Sequence, residues 1–288
     1  MHEPASNYVD LGRHQMHYTA WGQPGAPPLI LWHGLARTGR DFDVLAAALS
    51  SDYYVVCPDT IGRGLSQWST EPDHDYCFAA YSAHAAAFAD ALGFERFGWV
   101  GTSMGGALGI AAGATTLRGR ISRMVLNDIG PTLPRPAFDR ISTYIGAPPD
   151  FATMTELEAY FRTIYAPFGF HKDEQWRHMA ETGMRRLPNG RITTHYDPAI
   201  VRQFHVHPQD FEQWDKYDAL SAPVLVLRGV QSDLLLPDVA QAMSGRGPSA
   251  RVVEIAGCGH APALNVPEQI AVVREFLASR QRRHEGAA

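Results

Sequence analysis

The sequence predicts an α/β fold with a mostly parallel sheet, and two observations carry that prediction. Short runs of strand length alternate with helically spaced segments through the first 130 residues, and the same rhythm returns near residue 222. Several of those runs are apolar from end to end, the pattern of strands covered on both faces. Strands separated by helices call for right-handed crossovers, which make neighbouring strands parallel.

Taken in order, "QMHYTAW" (15–21) alternates polar and apolar residues as an early strand does. "PPLILWHG" (27–34) and "YYVVCPD" (53–59) are buried-strand runs closed by Gly, Pro or Asp. "AAYSAHAAAFADALGF" (79–94) is Ala-rich and helical, "RFGWVG" (96–101) a strand, "SMGGALGIAAGA" (103–114) a helix and "RISRMVLND" (120–128) a strand. From about 131 the rhythm breaks. Pro131, Pro134, Pro136, Pro148 and Pro149 punctuate the chain, which then turns aromatic and helical in "TELEAYFRTIYAPFGF" and "DEQWRHMAETGMRR". "LPNGRI" (187–192) carries the Asn-Gly signal of a tight hairpin or loop. "APVLVLRG" (222–229), "LPDVAQAM", "ARVVEIAG" and "PEQIAVVREFLASR" restore the βα order. These segments predict one α/β core, 1–131 with 215–288, interrupted by a mostly helical insertion over 132–214.

Composition narrows the function classes. At 288 residues, 45% hydrophobic and 19% charged, the chain is an ordinary globule with room for one large core. A net charge of −5 gives no basic surface for nucleic acid. The one basic cluster, "RQRRH" (280–284), follows a helical pattern, where cations suit the helix dipole. Cys57, Cys77 and Cys258 are scattered and odd in number, which argues against a disulfide framework and a structural zinc site. The N-terminus lacks the basic and apolar regions of a secretory signal, and no stretch reaches the ~20 apolar residues of a membrane span. A cytoplasmic protein without a membrane partner is the expectation, with monomer or homo-oligomer left open.

The chemistry centres on "FGWVGTSMGGALGI" (97–110), a strand, a Gly-flanked serine and a helix. A serine on so sharp a turn is thrust clear of the sheet, and glycines are needed where the backbone doubles back. The helix that follows directs its first N–H groups at charge developing near the serine. The spacing is neither GxGxxG nor GxxxxGKS, so a phosphate loop is the weaker reading. Ser103 needs a base, and "EIAGCGHAPALNVPEQI" supplies His260 after the last strand. The base needs an acid. Asp233, in "VLVLRGVQSDLLLP", is the first choice, and Asp128, in "MVLNDIGP", is its rival; Asp238 reads as a helix start. The backbone N–H groups of Met104 and Leu35 are the candidate oxyanion donors, and His33 organises the loop between them.

"HGLARTGRDF", "PDTIGRGLS", "GTSMGG", "LRGVQSD" and "GCGHAPAL" follow one another in the order of the landmarks of the α/β-hydrolase fold, which the chain resembles over nearly its whole length. That resemblance implies an eight-stranded sheet, a helical cap, a triad of Ser103, His260 and Asp233, and "PDTIGRGLS" (58–66) near the active site. Haloalkane dehalogenases and epoxide hydrolases of the family place an aspartate where Ser103 stands, which makes those reactions unlike this chain. Carbon–carbon hydrolases of meta-cleavage products share "SMGG" but often carry Asn at the position of Thr102. Perhydrolases often carry an aromatic at that of Leu35. The expected function is hydrolysis of a carboxylic ester of a small, fairly apolar molecule, without metal or organic cofactor. Carbon–carbon, lactone or perhydrolase chemistry is the alternative, as is a ligand receptor that keeps the fold and hydrolyses little.

Minor signals read blandly. Arg37 and Arg40 look like solvated cations beside the oxyanion loop, His205 and His207 like ordinary histidines of the cap rather than metal ligands, and Cys258 like a packed thiol. The aromatics Tyr144, Phe151, Tyr160, Phe161, Tyr165, Phe168, Phe170 and Trp176 suit either an acyl-pocket wall or a small core of their own.

Overall fold

A computed structural model describes residues 4–279, so the basic run 280–284 lies outside the described residues. The chain runs β1 (Ala5–Asp10), β2 (Gln15–Trp21), β3 (Pro28–Trp32), α1 (Asp43–Leu49), β4 (Tyr54–Pro58), α2 (Pro72–Asp75) and α3 (Phe78–Ala91). It continues through β5 (Phe97–Thr102), α4 (Met104–Ala114) and β6 (Ile121–Asn127). Then come α5 (Arg135–Tyr144), β7 (Asp150–Phe151), α6 (Met154–Ile164), α7 (Asp173–Thr182), β8 (Met184–Arg186), β9 (Ile192–Thr194), α8 (Arg202–Val206) and α9 (Trp214–Asp218). The last elements are β10 (Val224–Gly229), α10 (Pro237–Gly245), β11 (Arg251–Ile255) and α11 (Pro267–Ala278).

Eight strands form one sheet in the order β1-β2-β4-β3-β5-β6-β10-β11. The first two pairings, β1 with β2 and β2 with β4, are antiparallel, and the remaining five are parallel. Most of the parallel strands are apolar, while β11 at the sheet's edge leaves Arg251 and Glu254 exposed. Every residue of β10 is buried, as are four of the five in β3 and in β4, because helices cover both faces. Trp32 and Trp99 stack at 5.2 Å between β3 and β5, and α4 is buried along its whole length. The order reverses at β3: the chain steps to β4 on one side and returns to β5 on the other. Such a switch opens a crevice at the carboxyl ends of the strands.

Between β6 and β10 the chain leaves the main sheet. This segment is less helical than expected, since β7, β9 and β8 form a three-stranded antiparallel sheet. Strands of two and three residues are too short for alternation to show in sequence. The Asn-Gly signal does mark the hairpin between β8 and β9, where Gly190 takes φ +84°. Leu157, Phe161, Trp176, Met179, Ala180 and Ile192 make a small core inside the segment. Its two ends, through Ile141, Phe204 and Tyr217, join the main core instead.

Candidate active site

Ser103 sits between β5 and α4 at φ +53° and ψ −118°, a conformation that L-residues avoid without compensation. Two glycines make the turn possible. A Cβ on Gly101 would lie 2.3 Å from the Gly105 carbonyl oxygen, and one on Gly105 would lie 2.0 Å from that of Trp32. Main-chain bonds hold the turn from both sides: the Ser103 N–H donates to Asn127 O at 3.0 Å, and Ser103 O accepts from Gly106 and Ala107.

The loop after β11 brings His260 onto the serine. His260 Nε2 lies 2.8 Å from Ser103 Oγ, and its Nδ1 lies 2.7 Å from Asp128 Oδ2. Asp128 is fully buried and follows β6 directly at φ +56°. Its Oδ1 accepts the Gly229 N–H at 2.7 Å, and its Oδ2 accepts the Ser232 hydroxyl at 2.5 Å. A carboxylate held this way accepts the imidazole Nδ1–H and leaves Nε2 free to take a proton from the serine hydroxyl.

The first-choice acid is therefore corrected. Asp233 does not meet His260; its half-exposed carboxylate pairs with Arg140 of α5. The loop after β10 contributes Ser232 to steady Asp128, and the next residue turns outward. Asp238 lies in the first turn of α10, as expected.

Leu35 and Met104 flank Ser103 in the wall of the same cavity. Met104 opens α4, so its N–H has no acceptor a turn earlier in the helix. The Gly34 backbone packs against the serine, with an added Cβ only 3.6 Å from Ser103 Cβ. The loop carrying Leu35 is fixed from behind by His33 and Arg63. The Thr60 N–H donates to His33 Nε2 at 2.9 Å, so the other ring nitrogen carries the proton, 2.7 Å from Gly34 O. Asp59 anchors the 58–66 loop by accepting the Gly39 N–H at 2.7 Å and the Leu65 N–H at 3.0 Å, with His17 Nδ1 at 2.8 Å.

Arg63 is a residue that the sequence reading passed over. It is wholly buried and donates to Leu35 O at 2.9 Å, Ile61 O at 2.9 Å and the Tyr81 hydroxyl at 2.7 Å, with Met104 Sδ at 3.4 Å. One side chain thus ties both candidate oxyanion residues together. Its only sequence signal is a cation between two glycines in a loop otherwise closed by apolar residues. Arg63→Lys keeps the charge but not the fork of donors. It should lower kcat for an ester about tenfold, because a misplaced oxyanion donor costs rate more than binding. Steady-state kinetics with a melting curve checks this, and an unchanged kcat in a folded variant contradicts it.

Burial pushes the His33 imidazole down to about 4 from its ordinary 6.5, so it stays neutral. The unfolded chain then binds a proton that the folded chain refuses as pH falls from 6.5 to about 4. His33 should take on the order of 3 kcal/mol from stability across that window, and His84, which burial also lowers to about 4, adds to the fall. Urea unfolding at several pH values reads this, and His33→Gln should remove its share of the fall while leaving that of His84.

The crevice is a cavity of about 1520 Å³ with Ser103 and His260 in its wall. Of the aromatics named from sequence, Tyr144, Tyr160, Tyr165, Phe168 and Phe170 line it, whereas Phe161 and Trp176 belong to the inserted segment's own core. Phe151 packs on that same core. Arg37 is not the solvated cation expected. It is buried, donates twice to Asp41 and lies over the rings of Phe161 and Tyr165. Arg40 pairs with Asp43. Cys258 is buried, and burial raises its thiol pKa, which suits packing rather than nucleophilic chemistry. His207 bonds the Asp73 carbonyl oxygen at 2.7 Å. Among the described residues, the one cluster spaced for a metal is Glu71, His74 and Asp75, none of which lines the cavity. No helix among the described residues is long and apolar enough to cross a membrane.

Residues 27–265 match the family model described as alpha/beta hydrolase fold. The 3-hydroxybutyrate-oligomer hydrolase of Cupriavidus necator is 39% identical over 276 residues, covering 92% of this chain and 94% of that one. The N-formylmaleamate deformylase of Pseudomonas putida is 30% identical over 263 residues, covering 89% and 90%. An alpha/beta hydrolase from Novosphingobium aromaticivorans superposes with a TM-score of 0.86 at 33% identity, covering 96% of this chain and 99% of that one.

Proposed function

This chain belongs to the alpha/beta hydrolase fold family, and from that premise we propose that it hydrolyses carboxylic esters through an acyl-enzyme on Ser103. The observation that carries the reading is the unbroken line Asp128–His260–Ser103 at the wall of the cavity. His260 takes the hydroxyl proton as Ser103 Oγ attacks the ester carbonyl. The Leu35 and Met104 N–H groups receive the oxyanion, the tetrahedral intermediate expels the alcohol, and His260 gives that alcohol its proton. His260 then deprotonates a water that attacks the acyl-enzyme, and collapse releases the acid and restores Ser103. Asp128 holds the tautomer and stabilises the imidazolium. No step draws on a metal or an organic cofactor.

The cavity and the relatives support a reading of the substrate class. A cavity of about 1520 Å³ exceeds the ~300–1,000 Å³ of ordinary small-molecule sites. An ester with an extended or oligomeric chain fits that space. The relative named as a 3-hydroxybutyrate-oligomer hydrolase, at 39% identity, supports a hydroxy-acid oligoester, in which each link is itself a carboxylic ester. The segment 132–214 acts as a cap that walls the cavity with its aromatics. A panel of chromogenic acyl esters and hydroxy-acid dimers and trimers tests the reading. Turnover that rises with the fit of the acyl chain supports it, and no turnover of any ester or lactone overturns it.

A further inference from the structure

The inserted segment is bonded to both loops that carry the candidate chemistry. Between α6 and α7 the chain passes through residues 165–170, of which Tyr165, Pro167, Phe168 and Phe170 line the cavity. The loop of His260 hangs on this stretch from either side of the histidine. The Gly259 N–H donates to Pro167 O at 2.7 Å, and the Ala263 N–H to Phe168 O at 3.1 Å. Asn265 Nδ2 adds a side-chain bond to Phe170 O at 2.9 Å. The approach is close, since a Cβ on Gly259 would lie 3.1 Å from Pro167 Cβ. From behind, the core holds the same loop through Asn127 Nδ2 to Pro262 O at 2.8 Å and the Gln231 N–H to Cys258 O at 2.9 Å.

The same stretch reaches the oxyanion loop through Arg37. The Arg37 N–H donates to Gly34 O at 3.3 Å and so closes the turn that contains Leu35. Two bonds to Asp41, at 2.8 and 2.6 Å, fix the guanidinium. It lies 4.7 Å from the centre of the Tyr165 ring and 4.9 Å from that of Phe161, within reach of cation–π attraction. Gly183, just after α7, closes the contact, because a Cβ there would lie 3.2 Å from Arg37 Nη1. Tyr165 in turn packs on Phe168, with ring centres 4.8 Å apart, so the two attachments belong to one unit.

We propose that Asn265 and Arg37 are positioning residues, which hold the segment 165–170 against the loops of His260 and Leu35 and so set base and oxyanion donor relative to Ser103. A misplacement of ~1 Å in such groups can cost on the order of 10²-fold in rate. Bonds from the inserted segment flank His260 on both sides, so the segment shapes turnover as well as walling the cavity. These roles rest on the ester-hydrolase reading, and the magnetic-resonance arm of the test separates the two.

The test pairs steady-state kinetics on p-nitrophenyl butyrate with proton NMR of the low-field ring N–H that His260 directs at Asp128. Asn265→Leu has no donor for Phe170 O, and Arg37→Lys keeps the charge without the planar fork. Each should lower kcat about tenfold and change KM less than about threefold, the pattern of an interaction that matters in the transition state. Asn265→Leu should also broaden the His260 resonance, whereas Asn265→Gln, which keeps a donor, should regain part of kcat. An unchanged kcat, or a rise in KM alone, in either variant shown to fold by circular dichroism overturns the proposal. Hydrogen exchange in the wild type needs no variant: the Gly259 and Ala263 amides should be protected, and exchange as fast as that of free loop amides overturns the attachment. Absence of turnover of any ester would count against the ester reading instead. The resonance then decides: broadening in folded Asn265→Leu supports the positioning role, and a signal as sharp as the wild type's overturns it.

Discussion

Asp128→Asn is expected to lower kcat/KM for a chromogenic ester by about 10⁴-fold, while Asp233→Asn stays within about fivefold of the wild type. The contrast follows from where the two carboxylates stand. Asp128 is fully buried and 2.7 Å from the His260 Nδ1, and it is already fixed by Gly229 and Ser232. An amide in its place can offer a donor to the ring and so favour the wrong tautomer, leaving the serine without a base. Asp233 is half exposed and shares its charge with Arg140, a pair whose contribution solvent screens. Kinetics on both variants, with melting curves to establish folding, gives the comparison. The larger loss in Asp233→Asn would reverse the assignment.

Ser103→Ala is expected to lower kcat by about 10⁶-fold, close to the loss from removing a whole serine–histidine–aspartate unit. It should leave the fold intact. The hydroxyl contributes only its bond to His260 Nε2, while the main-chain bonds of the turn to Asn127, Gly106 and Ala107 need no side chain. Ester binding measured by calorimetry should therefore survive. Residual turnover within about a hundredfold of the wild type would point to a different nucleophile or to direct attack by water.

Particular residues show why sequence carried the argument part of the way. The elbow was legible because its physics is local: Gly101 and Gly105 must lack side chains, and the apolar runs around Ser103 declare a strand and a helix. His260 was legible from its place after the last strand. The acid was not. Asp128 and Asp233 both follow strands, and the choice depends on the Gly229 N–H and the Ser232 hydroxyl, which converge on Asp128 only when β6 and β10 lie side by side. Arg63 was hidden for a similar reason, since its bonds to Leu35 O, Ile61 O and Tyr81 join stretches up to 28 residues apart. The sheet of β7, β9 and β8 has strands too short for a pattern, and the burial of Arg37 depends on two rings from α6 and the turn after it.

Ser103, activated through His260 and Asp128, is the proposed nucleophile. That role is tested most directly by reaction with a fluorophosphonate followed by peptide mass spectrometry. A single adduct is expected on the peptide containing Ser103, absent in Ser103→Ala and formed more slowly in Asp128→Asn. An unlabelled wild type, or an adduct that persists in Ser103→Ala, would contradict it.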